Sequence, residues 1–241
     1  MKLIGYLPTG YPSIGRSLEL AEKYLEGGCD GLEMGIPYPD PQVEPDGVAS
    51  AMLFALWKNN NYEDYFSKIC AFKQKYNDTW TAALVSQSTV EKVGMERFIR
   101  FYTESRMACL FGVMMDGKMR AEFKRLGIGM SAAIQWDLNE ERVQYALSLD
   151  SGIVYLRSKP ASEAQIRPGL ETMDRIITYL RERGIKLPIY AGVGIRTPDD
   201  IKRLKDNGVE GCFLGSSLMR HFDNEKELLK TVEELAKAAH N

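Results

Sequence analysis

Short apolar runs alternate with amphipathic helical stretches along all 241 residues, and this alternation limits the fold more than any other feature. A strand that returns through a helix to another strand lies parallel to it, so strict alternation implies a parallel sheet with helical crossovers. Lys2–Leu7 reads as the first strand, and Ser13–Glu26 as a helix with Leu18, Ala21 and Leu25 on one face and Gly27-Gly28 as its stop. Cys29–Met34 is the second strand, followed by helical sequence over 46–75 that breaks at Asn59-Asn60-Asn61. Strands over Thr79–Val85, Met107–Val113, Gly129–Ile134, Gly152–Leu156, Leu187–Ala191 and Gly211–Leu214 complete the set. The intervening helices cover Thr89–Ser105, Lys118–Leu126, Asn139–Leu147 with Asp137 as N-cap, Ile166–Arg183, Thr197–Asn207 and Asn224–Ala239. Eight such units at this length match a closed (β/α)8 TIM barrel, typically about 250 residues. An open doubly wound sheet would carry a Gly-rich fingerprint after its first strand, and Pro8-Thr9-Gly10-Tyr11-Pro12 is not one. No linker divides the chain, so 1–241 reads as a single domain.

Composition narrows the chemistry. A net charge of −2 without a basic run argues against nucleic acid. No apolar run is long enough for a membrane span, and the apolar part of the opening segment is too short for a signal peptide. Cys29, Cys70, Cys109 and Cys212 are far apart and sit among apolar neighbours, which reads as small core residues in a reducing compartment, the cytosol. With only His221 and His240, histidine-rich zinc sites and a Ser-His-Asp triad have little to be built from, and no metal is expected.

In a barrel the chemistry sits at the C-terminal ends of the strands. The candidates there are Tyr6, Thr9 and Tyr11, then Glu33, then Tyr155, Arg157, Ser158 and Lys159, and finally the turns Gly192-Val193-Gly194 and Gly215-Ser216-Ser217. Those two turns follow strands seven and eight, where barrels often bind phosphate on backbone N–H groups. Glu33 interrupts a buried strand with an ionisable group. Desolvation at the barrel mouth would raise its pKa and suit a general acid or base, whereas a partner Lys or Arg would make it a structural carboxylate; the residues alone leave both open. Lys159 reads as a surface charge rather than a Schiff-base lysine, and Met114-Met115 and the aromatics of 98–102 as core packing. The loop Ile36–Gly47, with four prolines and three acids, reads as a lid or a partner surface.

Three segments resemble the tryptophan synthase alpha subunit family. They are Tyr6-Leu7-Pro8-Thr9-Gly10-Tyr11-Pro12, the more specific Gly31-Leu32-Glu33-Met34-Gly35-Ile36-Pro37-Tyr38-Pro39-Asp40-Pro41, and the pair Gly192-Val193-Gly194-Ile195 with Leu214-Gly215-Ser216-Ser217. The resemblance implies a TIM barrel that cleaves indole-3-glycerol phosphate to indole and glyceraldehyde 3-phosphate with no metal or cofactor. It places Glu33 on the catalytic glutamate, Tyr155 on a tyrosine near the indole, Tyr6 on the pocket wall, and Val193, Gly194, Gly215 and Ser216 on the phosphate. The second acid falls on Glu44 by an ungapped match, or on Asp46 if the Asp-Gly pair is kept. This sequence departs from the family in four places: the helix before the first strand is missing, Lys159-Pro160-Ala161-Ser162-Glu163 replaces a Gly/Thr loop, Val113-Met114-Met115 stands where an aspartate is expected, and Ser88 stands at an interface asparagine. The family pairs with a beta subunit; the departures at Ser88 and Met115 predict weak or absent pairing here. The other readings are a divergent paralogue acting on another phosphorylated substrate and a non-catalytic phospho-ligand-binding barrel.

Overall fold

The computed structural model describes residues 1–41, 44–111, 117–161 and 164–241. In chain order the elements are β1 (Lys2–Pro8), α1 (Ile14–Glu26), β2 (Gly31–Gly35), α2 (Asp46–Lys58), α3 (Tyr62–Lys75), β3 (Trp80–Val85), α4 (Gln87–Val93) and α5 (Met95–Ser105). Then come β4 (Ala108–Phe111), α6 (Gly117–Arg125), β5 (Met130–Ile134), α7 (Glu140–Leu147), β6 (Gly152–Arg157), α8 (Met173–Glu182), β7 (Ile189–Gly192), α9 (Pro198–Asp206), β8 (Gly211–Leu214), α10 (Ser216–Met219) and α11 (Glu225–His240). The strands pair in sequence order, all parallel, and β1 closes against β8, giving the (β/α)8 barrel that the alternation implies.

Side chains alternate across each strand with period two, and this decides what lies inside. Ile4, Ala82, Leu110, Ile153 and Phe213 form a buried cluster within the barrel. Residues one step along the strands, among them Leu3, Leu32, Ala83, Cys109, Val154 and Cys212, pack outward into the larger core beneath the helices. The helices cover that outer layer with one face each. On α1 the buried face is Ser17, Leu20, Ala21 and Tyr24, so Leu18 and Leu25 flank the contact rather than centre it.

Strand ends shift by a residue or two from the sequence reading and the short α10 has no counterpart in it; three further differences have identifiable causes. The helix expected over 89–105 is two helices, because Gly94 at φ +80° breaks the hydrogen-bonded run between α4 and α5. The helix expected over 166–183 occupies only Met173–Glu182. Pro168 and Gly169, the latter at φ +87°, hold the preceding segment irregular, and Arg167 ties it to the Leu138 carbonyl at 2.6 Å. The N-cap of α7 is Asn139, whose side chain accepts from the Arg142 N–H; Asp137 instead accepts from the Asn139 N–H. Of the cysteines, Cys29, Cys109 and Cys212 are buried and Cys70 is half-buried, all as free thiols. Among the described residues, no helix is long and apolar enough to cross a membrane. The readings at 113–115 and at 162–163 fall outside the described residues.

Candidate active site

The whole of β2 is buried. Leu32 and Met34 point outward into the helix-facing core, so the parity of the strand turns Glu33 inward. Its register partners are Tyr6 on β1 and Ala82 on β3, and the small Ala82 leaves room beside the carboxyl. Glu33 is 7% exposed and, among the described residues, makes no ion pair or hydrogen bond. The fold therefore does not build the paired structural carboxylate. Burial without a partner, reinforced by the charge of Glu44, pushes its pKa from the ordinary 4.5 up to about 8.

Glu44 reaches the same space from the loop after β2. That loop is held by the Tyr62 hydroxyl, which donates to the Pro37 carbonyl at 2.9 Å, and by Ser88, which donates to Asp40 at 2.5 Å. Tyr38 is buried with Tyr6, Val48 and Met52, and its hydroxyl donates to Glu44 Oε1 at 2.6 Å. Burial raises the pKa of Glu44, while the bond from Tyr38 favours its charged form and opposes that rise. The two carboxyls thus share a site but differ in support: among the described residues, Glu44 has a donor and Glu33 has none. Asp46, the alternative second acid, is exposed in the first turn of α2 and contributes nothing to the charge felt by Glu33. A negative charge there favours the helix N-terminus, which accounts for Asp46 without a chemical role.

Two tyrosines flank the acids. Tyr6 and Tyr155 are both raised in pKa, first by burial and then by the charges of Glu33 and Glu44, so both stand close to the pair. Each ring lies over a glycine. A Cβ on Gly35 would stand 2.7 Å from the Tyr6 hydroxyl, and one on Gly192 only 2.0 Å from the Tyr155 hydroxyl. Leu84 and Met219 pack against the cluster of Tyr6, Tyr38, Val48 and Met52 on one side of the site. Aromatic side chains beside two carboxyls suit a flat, mostly apolar ring with one polar edge. Tyr38 was not among the sequence candidates; its place between two prolines gives no sign that its ring turns inward.

The turns after β7 and β8 are brought side by side, because Ala191 pairs with Cys212. Val193 at φ +71° and Gly194 at φ +78° run consecutively in the left-handed region, and Val193 is exposed. A β-branched residue there costs about 1–3 kcal/mol, a strain typical of functional turns. Gly215 is the N-cap of α10, which begins at Ser216, so the first N–H groups of that turn have no earlier helical carbonyl to bind. Ser158, at the end of β6, donates from its N–H to the Gly192 carbonyl at 2.8 Å and from its hydroxyl to the Val193 carbonyl, tying a third strand to this corner. Lys159 is exposed. Among the described residues, no three of His, Cys, Asp or Glu are grouped to hold a metal ion.

Comparison with known proteins gives a consistent picture. The family model described as tryptophan synthase alpha chain matches residues 1–241. The tryptophan synthase alpha chain of Edwardsiella ictaluri (strain 93-146) is 26% identical over 236 residues, covering 95% of this chain and 88% of the relative. That of Buchnera aphidicola subsp. Schlechtendalia chinensis is 25% identical, covering 98% and 90%. Among solved structures, Mycobacterium tuberculosis tryptophan synthase superposes with a TM-score of 0.83 at 22% identity, covering 100% of this chain and 93% of that one. Tryptophan synthase subunit alpha from Legionella pneumophila str. Paris gives 0.82 at 20%, covering 99% and 92%. At those identities the structural likeness speaks for the fold alone.

Proposed function

Because this chain belongs to the tryptophan synthase alpha chain family, whose reaction is the cleavage of indole-3-glycerol phosphate in tryptophan biosynthesis, we propose that Glu33 and Glu44 divide the proton transfers of that lyase reaction. The observation that carries this reading is the pairing of two carboxyls in different environments, the buried Glu33 without a donor among the described residues and the half-buried Glu44 held by Tyr38. Environments that push two acids apart assign an acid and a base. With its pKa at about 8, Glu33 is protonated at neutral pH and can give a proton to indole C3. Glu44 as carboxylate takes the ring N–H proton, leaving an indolenine. The Glu33 carboxylate then accepts the proton of the glycerol hydroxyl next to the ring. The carbon–carbon bond breaks toward C3, the aldehyde forms, and Glu44 returns its proton to the ring nitrogen. Both acids end as they began.

The turns at Val193-Gly194 and Gly215-Ser216 are the proposed anchor for the substrate phosphate, and Tyr6 and Tyr155 the walls that hold the ring. Remote phosphate binding orients the scissile bond and supplies energy spent at the reacting carbon. Members of this family pair with a beta chain. Here Ser88, which the resemblance puts at that interface, donates to Asp40 within its own chain. This internal bond supports weak or absent pairing. The four free thiols fit a reducing compartment, the cytosol. Release of indole from indole-3-glycerol phosphate by the purified chain, assayed alone and with a beta subunit, tests the reading. Turnover of the chain alone, changed less than about tenfold by the beta subunit, is expected; no indole under either condition refutes it.

A further inference from the structure

The barrel mouth also holds a cation that none of these roles uses. Ile153 and Tyr155 point into the barrel from β6, so the same parity turns Arg157 inward at the end of that strand. Its backbone is fixed: the Trp136 indole N–H donates to its carbonyl at 2.8 Å. Its side chain has no ion pair among the described residues, and its Nε is shut off from solvent without an acceptor. Other arginines of the chain behave differently. Arg16, Arg125 and Arg203, for example, are each paired with a carboxylate on the outer surface.

Strand register puts Arg157 at the mouth, two residues beyond Tyr155 on the same face of β6, and its charge acts on the Tyr155 hydroxyl, lowering its pKa against the larger effect of burial. Glu33 is governed by burial and by Glu44, so Arg157 is not the counter-ion of the acids. In register it stands beside Gly192, the residue that opens the Val193-Gly194 turn, and its neighbour Ser158 is bonded to that turn. A guanidinium fork with its Nε–H hidden from water and no acceptor among the described residues is suited to an anion arriving from outside.

We propose that Arg157 is a phosphate-contacting residue: its guanidinium donates to the phosphate of a phosphomonoester seated on the Val193-Gly194 and Gly215-Ser216 turns. This rests on the reading of those turns as the phosphate anchor. Two backbone turns supply dipoles but no net charge, and Arg157 supplies the charge. The consequence is selectivity for a dianionic substrate and a KM that rises with salt.

Calorimetric titration of inorganic phosphate, together with KM and kcat for indole-3-glycerol phosphate, tests this on the wild type, Arg157→Met, Arg157→Lys and Ser216→Asp. Loss of a charge-assisted contact weakens binding by about tenfold or more. Arg157→Met is therefore expected to raise both the phosphate Kd and KM by about that factor, with kcat within about threefold, and Arg157→Lys to recover part of the loss. Ser216→Asp, which puts a negative charge on the turn, is expected to weaken phosphate as well. If Ser216→Asp weakens phosphate and Arg157→Met does not, the role of Arg157 is refuted while the turns stand. If Arg157→Met weakens it and Ser216→Asp does not, the anion sits on Arg157 alone and the anchor is refuted. Should either Arg157 variant fail to fold, the wild type decides: a phosphate Kd that does not weaken with ionic strength overturns the proposal.

Discussion

Replacing Glu33 by Gln should stabilise the protein, and more so the higher the pH. The carboxyl is buried without a donor or a cation among the described residues, and its pKa rises from 4.5 to about 8. Between those values the folded state holds a proton that the unfolded chain has lost. Stability contributed by the protonated acid is therefore complete below about pH 4.5 and is lost as the pH rises toward 8. At 1.36 kcal/mol per pKa unit, the loss is about 1 kcal/mol at pH 5, about 3 at pH 7 and about 4 at pH 8. Gln cannot ionise, so the advantage of Glu33→Gln over the wild type should grow by about 3 kcal/mol between pH 5 and pH 8. For a chain of this size that is about 6–12 °C in Tm. Thermal melts of both proteins at pH 5, 6, 7 and 8 give the comparison. A pairing of Glu33 with a buried cation would reverse the sign, costing about 3–5 kcal/mol on neutralisation. A variant that melts lower than the wild type at pH 8, or a difference that does not change with pH, refutes the reasoning.

The second acid can be separated by substitution: Glu44→Gln is expected to lower kcat by about 100-fold or more, and Asp46→Asn to leave it within about twofold, as steady-state kinetics will show. Tyr38→Phe removes the only hydrogen bond given to Glu44 by a described residue, so the acid limb of the kcat/KM profile should move to higher pH. Gly192→Ala puts a Cβ within 2.0 Å of the Tyr155 hydroxyl. Overpacking of that kind costs about 1–3 kcal/mol, and displacement of the ring should raise KM, read from melting and kinetics on the same sample.

The barrel was legible because its strands alternate strictly with helices and carry turn residues at their ends. Glycines and asparagines at 27–28, 59–61, 184 and 208 punctuate the chain where the structure does. The segment before α8 misled because Ile166 and Leu170 recur at helical spacing, yet Pro168 and Gly169 withhold the backbone from the helix and both side chains are only half-buried. Glu33 stood out as an acid inside a buried strand, and its parity follows from its apolar neighbours. The choice between Glu44 and Asp46 could not be read in the same way. The two acids flank Pro45 in one loop, and the deciding contact is made by Tyr38, six residues before Glu44, through a loop whose path is set by Tyr62 and Ser88 from other parts of the chain. Local spacing carries no record of such long-range contacts.

Steady-state cleavage of indole-3-glycerol phosphate by the wild type and Glu33→Gln, followed across pH, bears most directly on the claim that two differently supported carboxyls run the reaction. Activity of the wild type should fall at low pH as Glu44 takes up a proton, and again above about pH 8 as Glu33 loses one. Glu33→Gln should be folded, more stable and slower by about 100-fold or more, with KM little changed because the lost interaction belongs to the transition state. A Glu33→Gln variant that retains the wild-type kcat and the limb near pH 8 would contradict the account.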